Sequence, residues 1–319
     1  MRLANLPSNV QNSLIESKTG CGSHCEAGQN RAETSIFKNM INFLFLLTLL
    51  IYLAASIFQT LSLAISNRSE AAILRPTIER IAFWGTSIGF AFLSLFIALW
   101  WLTQGHFPMT HWTDSTAFFA WAITLIYLII VRLTHLRTLG SFVMPVAFIA
   151  ILISYSFATH TAALPEPLQN YWLLAHTALI FLGYAAFIAA FGFGLMYLIA
   201  ERKIRKKTDT LLDNLLPSLG VSDELGYRCT ILGVILLTMG VIVGSLWTQY
   251  IRDVPWRWLD AKVISTLMTW FIYVLQIGLR QFWGWHGRRA AYAAILGFVA
   301  VLCTYVGVDL FLDSMHTYR

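Results

Sequence analysis

YWLLAHTALIFLGYAAFIAAFGFGLMYLIAERKIRKK, residues 171–207, runs for thirty residues without a charge and then places five basic residues in its last seven. A helix needs about 20 consecutive apolar residues to cross the hydrocarbon core of a bilayer. This run exceeds that length, and the cations that end it belong on the cytoplasmic side.

The rest of the chain repeats the pattern. Eight candidate spans can be marked: Phe37–Leu63, Ile81–Leu102, Ala117–Thr134, Ser141–Ala158, Tyr171–Ala200, Cys229–Tyr250, Val263–Phe282 and Ala290–Leu312. No alternation of period two competes with them, so the expected fold is all-α, a polytopic membrane protein of about eight transmembrane helices. Of the 319 residues 57% are hydrophobic and only 12% charged, about half the charged share of a soluble domain. The net charge of +6 comes from lysines and arginines gathered in short loops. That distribution is a topology signal and excludes a nucleic-acid partner.

Arg68, Arg75 and Arg80 follow the first span, Arg132 and Arg137 bracket the loop after the third, ERKIRKK ends the fifth, and Arg280, Arg288 and Arg289 follow the seventh. These loops are expected on the cytoplasmic side, which turns both termini outward. The polar segment 1–36 is expected to form an N-terminal tail and 37–319 the helical bundle, with an outward tryptophan-rich loop at 248–262. The first apolar run is too long for the h-region of a cleaved signal, about 7–15 residues. Cys21 and Cys25 flank His24 in GCGSHCEAG, but a metal site would need further ligands nearby. Cys229 and Cys303 read as small buried hydrophobes.

The outward loop contains RDVPWRWLDAKV, residues 252–263, an exception to the charge rule. Under this topology His106, His111, His160, His176 and His316 also lie outward, while His135 and His286 sit inside beside arginines. His176 is about one and a half turns into the fifth span, and His316 follows the eighth. Two imidazoles at separate helix ends can supply both axial ligands to a haem iron. Trp256 and Trp258 offer flat apolar contact, and Arg252, Arg257 or Lys262 can pair with propionates. The same residues also suit a membrane anchor, with interfacial tryptophans and snorkelling arginines. On residues alone both readings stay open.

Several motifs in order resemble the cytochrome c assembly proteins of the CcsA type, haem-handling membrane proteins with an outward WWD loop. GHFPMTHWTDS at 105–115 is similar to the family's GHFP signature, and LQNYWLLAHTALIFLGYAAF at 168–187 to its first external histidine helix. LPSL at 216–219 and ELGYRCTILGVILLTMGVIVGSLW at 224–247 lead into the WWD position, and GRRAAYAAILGFVAVLCTYVGVDLFLDSMHTYR at 287–319 is similar to the closing helix and tail. The resemblance covers roughly residue 85 to the end of the chain.

It implies that His176 and His316 are axial ligands of a transiently held haem b, and that Trp256, Arg257, Trp258 and Asp260 belong to the haem-holding loop. His106 keeps its GHFP position, where a helix-end turn before Pro108 is an equal alternative to haem contact. The implied function is haem handling in c-type cytochrome biogenesis, as part of a haem lyase complex that presents haem to apocytochrome c. The implied partners are a second biogenesis membrane protein of the CcsB/ResB type, apocytochrome c and membrane lipids. The expected membrane is a bacterial plasma membrane as against a thylakoid.

Departures from the family accompany these matches. Members read approximately W-G-x-Y-W-S-W-D-P-K-E at the loop; here Leu259 precedes Asp260, Ala261 replaces the proline and Val263 the glutamate. IGLR replaces a family LHTR, so that Gly278 stands where a membrane histidine is expected. Relatives with weakened WWD loops, the HemX-like proteins, are associated with regulating haem synthesis, which makes that role the alternative. A structural subunit that has lost haem ligation is a further one.

Overall fold

The computed structural model describes residues 39–64, 74–104, 112–156, 171–206, 216–250 and 260–307. All secondary structure among them is helical: α1 (Asn39–Ala64), α2 (Arg75–Gln104), α3 (Trp112–Thr134), a short 3-10 turn (Arg137–Leu139), α4 (Gly140–Ser156), α5 (Tyr171–Lys206), α6 (Leu219–Tyr250), α7 (Ala261–Trp283), α8 (Arg288–Leu302) and a π-helical turn (Cys303–Gly307). Helices α1 to α3 and α5 to α7, and α4 together with the 3-10 turn before it, are each long and apolar enough to cross a membrane. The chain is a multi-pass membrane protein. By contacts it divides into two units, Met1–Leu46 and Leu47–Arg319; the described part of the first is the opening of α1.

Helix ends extend beyond the apolar runs because interfacial turns need no lipid-soluble side chains. Helix α5 continues through the basic segment to Lys206, and α6 begins at Leu219, ten residues before its expected start. The added first turns of α6 carry Asp223 and Glu224, which face Arg280 of α7. Arg280 therefore lies inside α7 and not in a loop. The eighth expected span is α-helical only over Arg288–Leu302 before its π turn, and its residues from 308 lie outside the described residues.

Two left-handed residues turn the chain between α7 and α8. Gly284 (φ 63°) caps α7, its N–H donating to the Leu279 carbonyl, and Gly287 (φ 66°) opens α8. Glycine meets no Cβ penalty there. His135 (φ 60°) makes the corresponding turn after α3, and its carbonyl accepts from Arg137 N–H. His286 Nδ1 lies 2.9 Å from the Gly284 carbonyl oxygen.

In lipid the apolar effect does not separate helix from helix, so close packing and internal hydrogen bonds hold a bundle together. Tyr52 of α1 donates to Thr124 of α3 at 3.0 Å, Gln59 donates to Tyr127 at 2.9 Å, and Ser141 of α4 donates to the Gln59 carbonyl at 2.6 Å. On the other side, Trp270 of α7 donates to Thr238 of α6 at 2.8 Å, and the Thr269 and Thr304 hydroxyls meet at 2.7 Å.

Cys229 is buried as expected, whereas Cys303 is exposed. The correction follows from helical geometry: Thr304, 2% exposed, takes the inward direction, and the preceding residue is rotated about 100° away.

The most extensive helix pair is α5 with α6. Its register is antiparallel and is set by α6 glycines. A side chain at Gly226 would meet Phe193, at Gly233 Phe187, at Gly240 Ile180 and at Gly244 His176. Gly183 answers from α5, where an added carbon would lie 3.1 Å from the Gly233 carbonyl oxygen. Small residues at these positions let the two backbones approach. Gly192 and Gly194 serve α4, with the turn before it, and α8 in the same way, against Leu139 and Val143 and against the Ala291 carbonyl.

Candidate functional site

His176 lies in the second turn of α5, half-buried against α6. Its Nδ1 is 2.7 Å from the carbonyl oxygen of Gly240. A carbonyl oxygen only accepts, so Nδ1 carries the proton and, in the neutral ring, the lone pair belongs to Nε2. Metal-binding imidazoles commonly have this arrangement, one ring nitrogen donating to a backbone carbonyl and the other ligating. Room for the ring comes from Gly244, one helical turn on, where any β-carbon would overlap it.

Asp260, 6% exposed, is the N-cap of α7, and its side chain accepts from the Lys262 N–H at 3.0 Å. The resemblance made Asp260 part of a haem-holding loop; its visible role is to satisfy an orphan donor of the helix's first turn and end the loop at a defined point. His176 and Asp260 lie on the same side of one contact between α5 and α7. The Tyr184 and Thr266 hydroxyls meet at 3.5 Å, and at 1.5 Å per residue His176 lies about 12 Å and Asp260 about 9 Å along their helices from it. Both candidates therefore belong to one end of the bundle.

Arg280 and Arg288 lie at the other end. Arg280 bridges Asp223 and Glu224 and stacks over Tyr227 at 4.2 Å, Asp223 accepts from Gly287 N–H at 2.8 Å, and Arg288 approaches Glu201. A cleft there is lined by Tyr197, Asp223, Tyr227, Arg280 and Trp285. Among the described residues, opposite ends for Arg280 and Arg288 and for His176 match the relative placement read from the loops.

Trp256, Arg257, Trp258, His106 and His316 lie outside the described residues, as do Cys21, Cys25 and the segment 1–36. Gly278 is described. Among the described residues, a β-carbon there would meet only Phe282 Cδ2, at 4.0 Å. The position that carries a histidine in the resembled family is thus an open flank of α7.

A family model described as cytochrome C assembly protein matches residues 109–316. The chain belongs to the cytochrome c assembly protein family. This member is similar to the cytochrome c biogenesis protein CcsA of Chlamydomonas reinhardtii, 31% identical over 237 residues, which is 71% of the chain and 65% of that relative, a little under two thirds of its length. A second relative of the same description, from Synechococcus sp. (strain CC9902), is 28% identical over 305 residues, 88% of the chain and 99% of the relative. A third, from Mesostigma viride, is 26% identical over 250 residues, 71% and 82% of the two chains. The matched region contains His176, Gly240, Gly244, Asp260 and Gly278.

Sequence reasoning missed the α6 glycines and the Asp223–Arg280 pair. The glycines left a legible signal, because Gly226, Gly233 and Gly240 recur every seven residues and so share one face of the helix. The ion pair left none, since its members are 57 residues apart.

Proposed function

We propose that the chain is a haem-handling component of c-type cytochrome biogenesis, holding haem at the outward membrane face for attachment to apocytochrome c. The observation that carries the reading is the 2.7 Å bond from His176 Nδ1 to the Gly240 carbonyl. It leaves the other ring nitrogen with the electron pair that an iron ligand requires, at the bundle end opposite Arg280 and Arg288. Membership of the assembly family supports the same role.

His176 and His316 are the proposed axial ligands, and the loop carrying Trp256, Arg257, Trp258 and Asp260 is the proposed platform, with His106 beside it. The haem supplies the reactive vinyl edge and the iron. The chain's own residues orient and retain it: His176 presents its imidazole from a rigid helix, and Asp260 fixes where the loop ends. A second membrane protein of the CcsB/ResB type and apocytochrome c complete the assembly. The assigned membrane is a bacterial plasma membrane, and membrane fractionation separates that from a thylakoid.

The test is an absorption spectrum of the purified full chain, with and without His176→Ala and His316→Ala. The expected result is a reduced bis-histidine signal in the wild type that each substitution abolishes. Wild type that takes up no haem under any expression condition overturns the ligand assignment.

Gly278 favours a second reading, a HemX-like regulator of haem synthesis. Gene deletion separates the two. Loss of holo-cytochrome c supports assembly, and unchanged holo-cytochrome with altered tetrapyrrole precursors supports regulation.

A further inference from the structure

The α6 backbone between Gly240 and Gly244 does more than admit a neighbouring helix. Among the α6 glycines that meet α5, Gly244 alone faces a titratable side chain. Phe193, Phe187 and Ile180 fill the other positions. The Gly240 carbonyl belongs to a helix interior, where its oxygen already faces the N–H four residues on; its second lone pair remains available. His176 Nδ1 uses that oxygen at 2.7 Å. The Gly244 site is where the ring itself lies, since an added carbon would overlap Nδ1 and Cε1 and press on Cγ at 3.2 Å. Thr248, buried one turn further, bonds the Gly244 carbonyl at 3.0 Å and braces this part of α6.

We infer that Gly240 and Gly244 form a positioning seat for His176, the carbonyl of the first selecting the Nδ1–H tautomer and the missing side chain of the second setting the ring's place. This deepens the proposed function and rests on it for the identity of the ligand, haem. The seat itself is a property of the haem-free chain. Two constraints act on one imidazole. The carbonyl fixes which nitrogen keeps the proton, and the bare backbone fixes the ring plane against α6. An iron arriving at Nε2 then meets a ligand already in its binding tautomer, with less orientational freedom to lose. Partners of this kind commonly change metal affinity by about 10- to 100-fold when removed.

Gly244→Ala separates seat from scaffold. The overlapped atoms are the far end of a side chain that can rotate about its own bonds, so the helices can stay together while the ring is displaced. The experiment uses the full chain in detergent or nanodiscs, and it has haem-free and haem-loaded arms.

In the haem-free arm, nitrogen-15 spectra of histidine-labelled wild type, with the His176 signal assigned by difference from His176→Gln, read the tautomer directly. An Nδ1-protonated His176 is expected, and an Nε2-protonated ring overturns the seat. This measurement needs no substitution in α6, so it decides even where Gly244→Ala fails to fold. Modification of His176 by diethyl pyrocarbonate, followed by peptide mass spectrometry, is expected to change severalfold in Gly244→Ala. In the haem-loaded arm that variant is expected to bind haem about tenfold more weakly, with part of its low-spin spectrum lost and regained on adding imidazole.

Gly244→Ala that folds, reacts and binds haem as wild type does overturns the seat and leaves His176 as a ligand. His176→Ala that keeps wild-type haem affinity and spectrum overturns the ligand reading instead, and the haem-free tautomer still decides the seat.

Discussion

The Arg280 guanidinium of α7 lies 2.9 Å from the Asp223 carboxylate of α6, with 9% and 12% of the two side chains exposed. Asp223 also accepts from Gly287 N–H, so the pair ties α6 and α7 to the start of α8. Removing one member leaves the other charge buried and poorly compensated. Arg280→Met is expected to cost about 3 kcal/mol or more. Asp223→Asn, which keeps an acceptor for Gly287, is expected to cost less. Thermal unfolding of the detergent-solubilised variants checks the order, and equal melting temperatures for wild type and Arg280→Met contradict it.

Gly233→Ala tests the α5–α6 register. The added methyl overlaps the Phe187 ring, which is fully buried and stacked on Tyr273 at a centroid distance of 3.6 Å. Unlike His176, that ring has nowhere to rotate, so the helices must separate. Overpacking of this kind costs about 1–3 kcal/mol. The variant should unfold at a clearly lower temperature than Gly244→Ala, and the reverse order counts against the register.

Asp260 separates capping from haem contact. Asp260→Ala removes the bond to Lys262 N–H and should cost about 1 kcal/mol, while Asp260→Asn keeps a good cap. If capping is the residue's whole contribution, Asn retains wild-type stability and haem content. An Asn variant with wild-type stability but lowered haem content assigns the carboxylate a further role in the haem-holding loop.

Gly278→His should be tolerated. Among the described residues, only Phe282 comes within 4 Å of an added β-carbon, and replacing a helix-interior glycine by histidine recovers roughly a few tenths of a kcal/mol, since histidine has a helix penalty of its own. The variant is expected to melt at or above the wild-type temperature. A marked loss of stability would show that this flank of α7 is closely covered in the membrane.

The helical fold and the membrane class were legible because each depends on local composition. A run such as 171–200 partitions into lipid whatever its neighbours are. His176 was legible as a helix-end histidine for the same reason, and Asp260 as a polar residue beside the tryptophan loop. The partners of these residues were not. Cap geometry gave Asp260 its role, and a backbone oxygen 64 residues away gave His176 its tautomer.

By itself, then, the sequence determined that this chain crosses a membrane in helices and, through its ordered motifs, which family it resembles. Tertiary structure alone decided that α5 lies on the glycine face of α6, that Arg280 is a buried ion-pair member and not a loop charge, and that Gly278 opens on an uncrowded flank. The physical reason is that transfer into lipid sums over single residues, whereas packing depends on which two helix faces meet and in what register. In α6 that register was decided by where glycine leaves room for a ring.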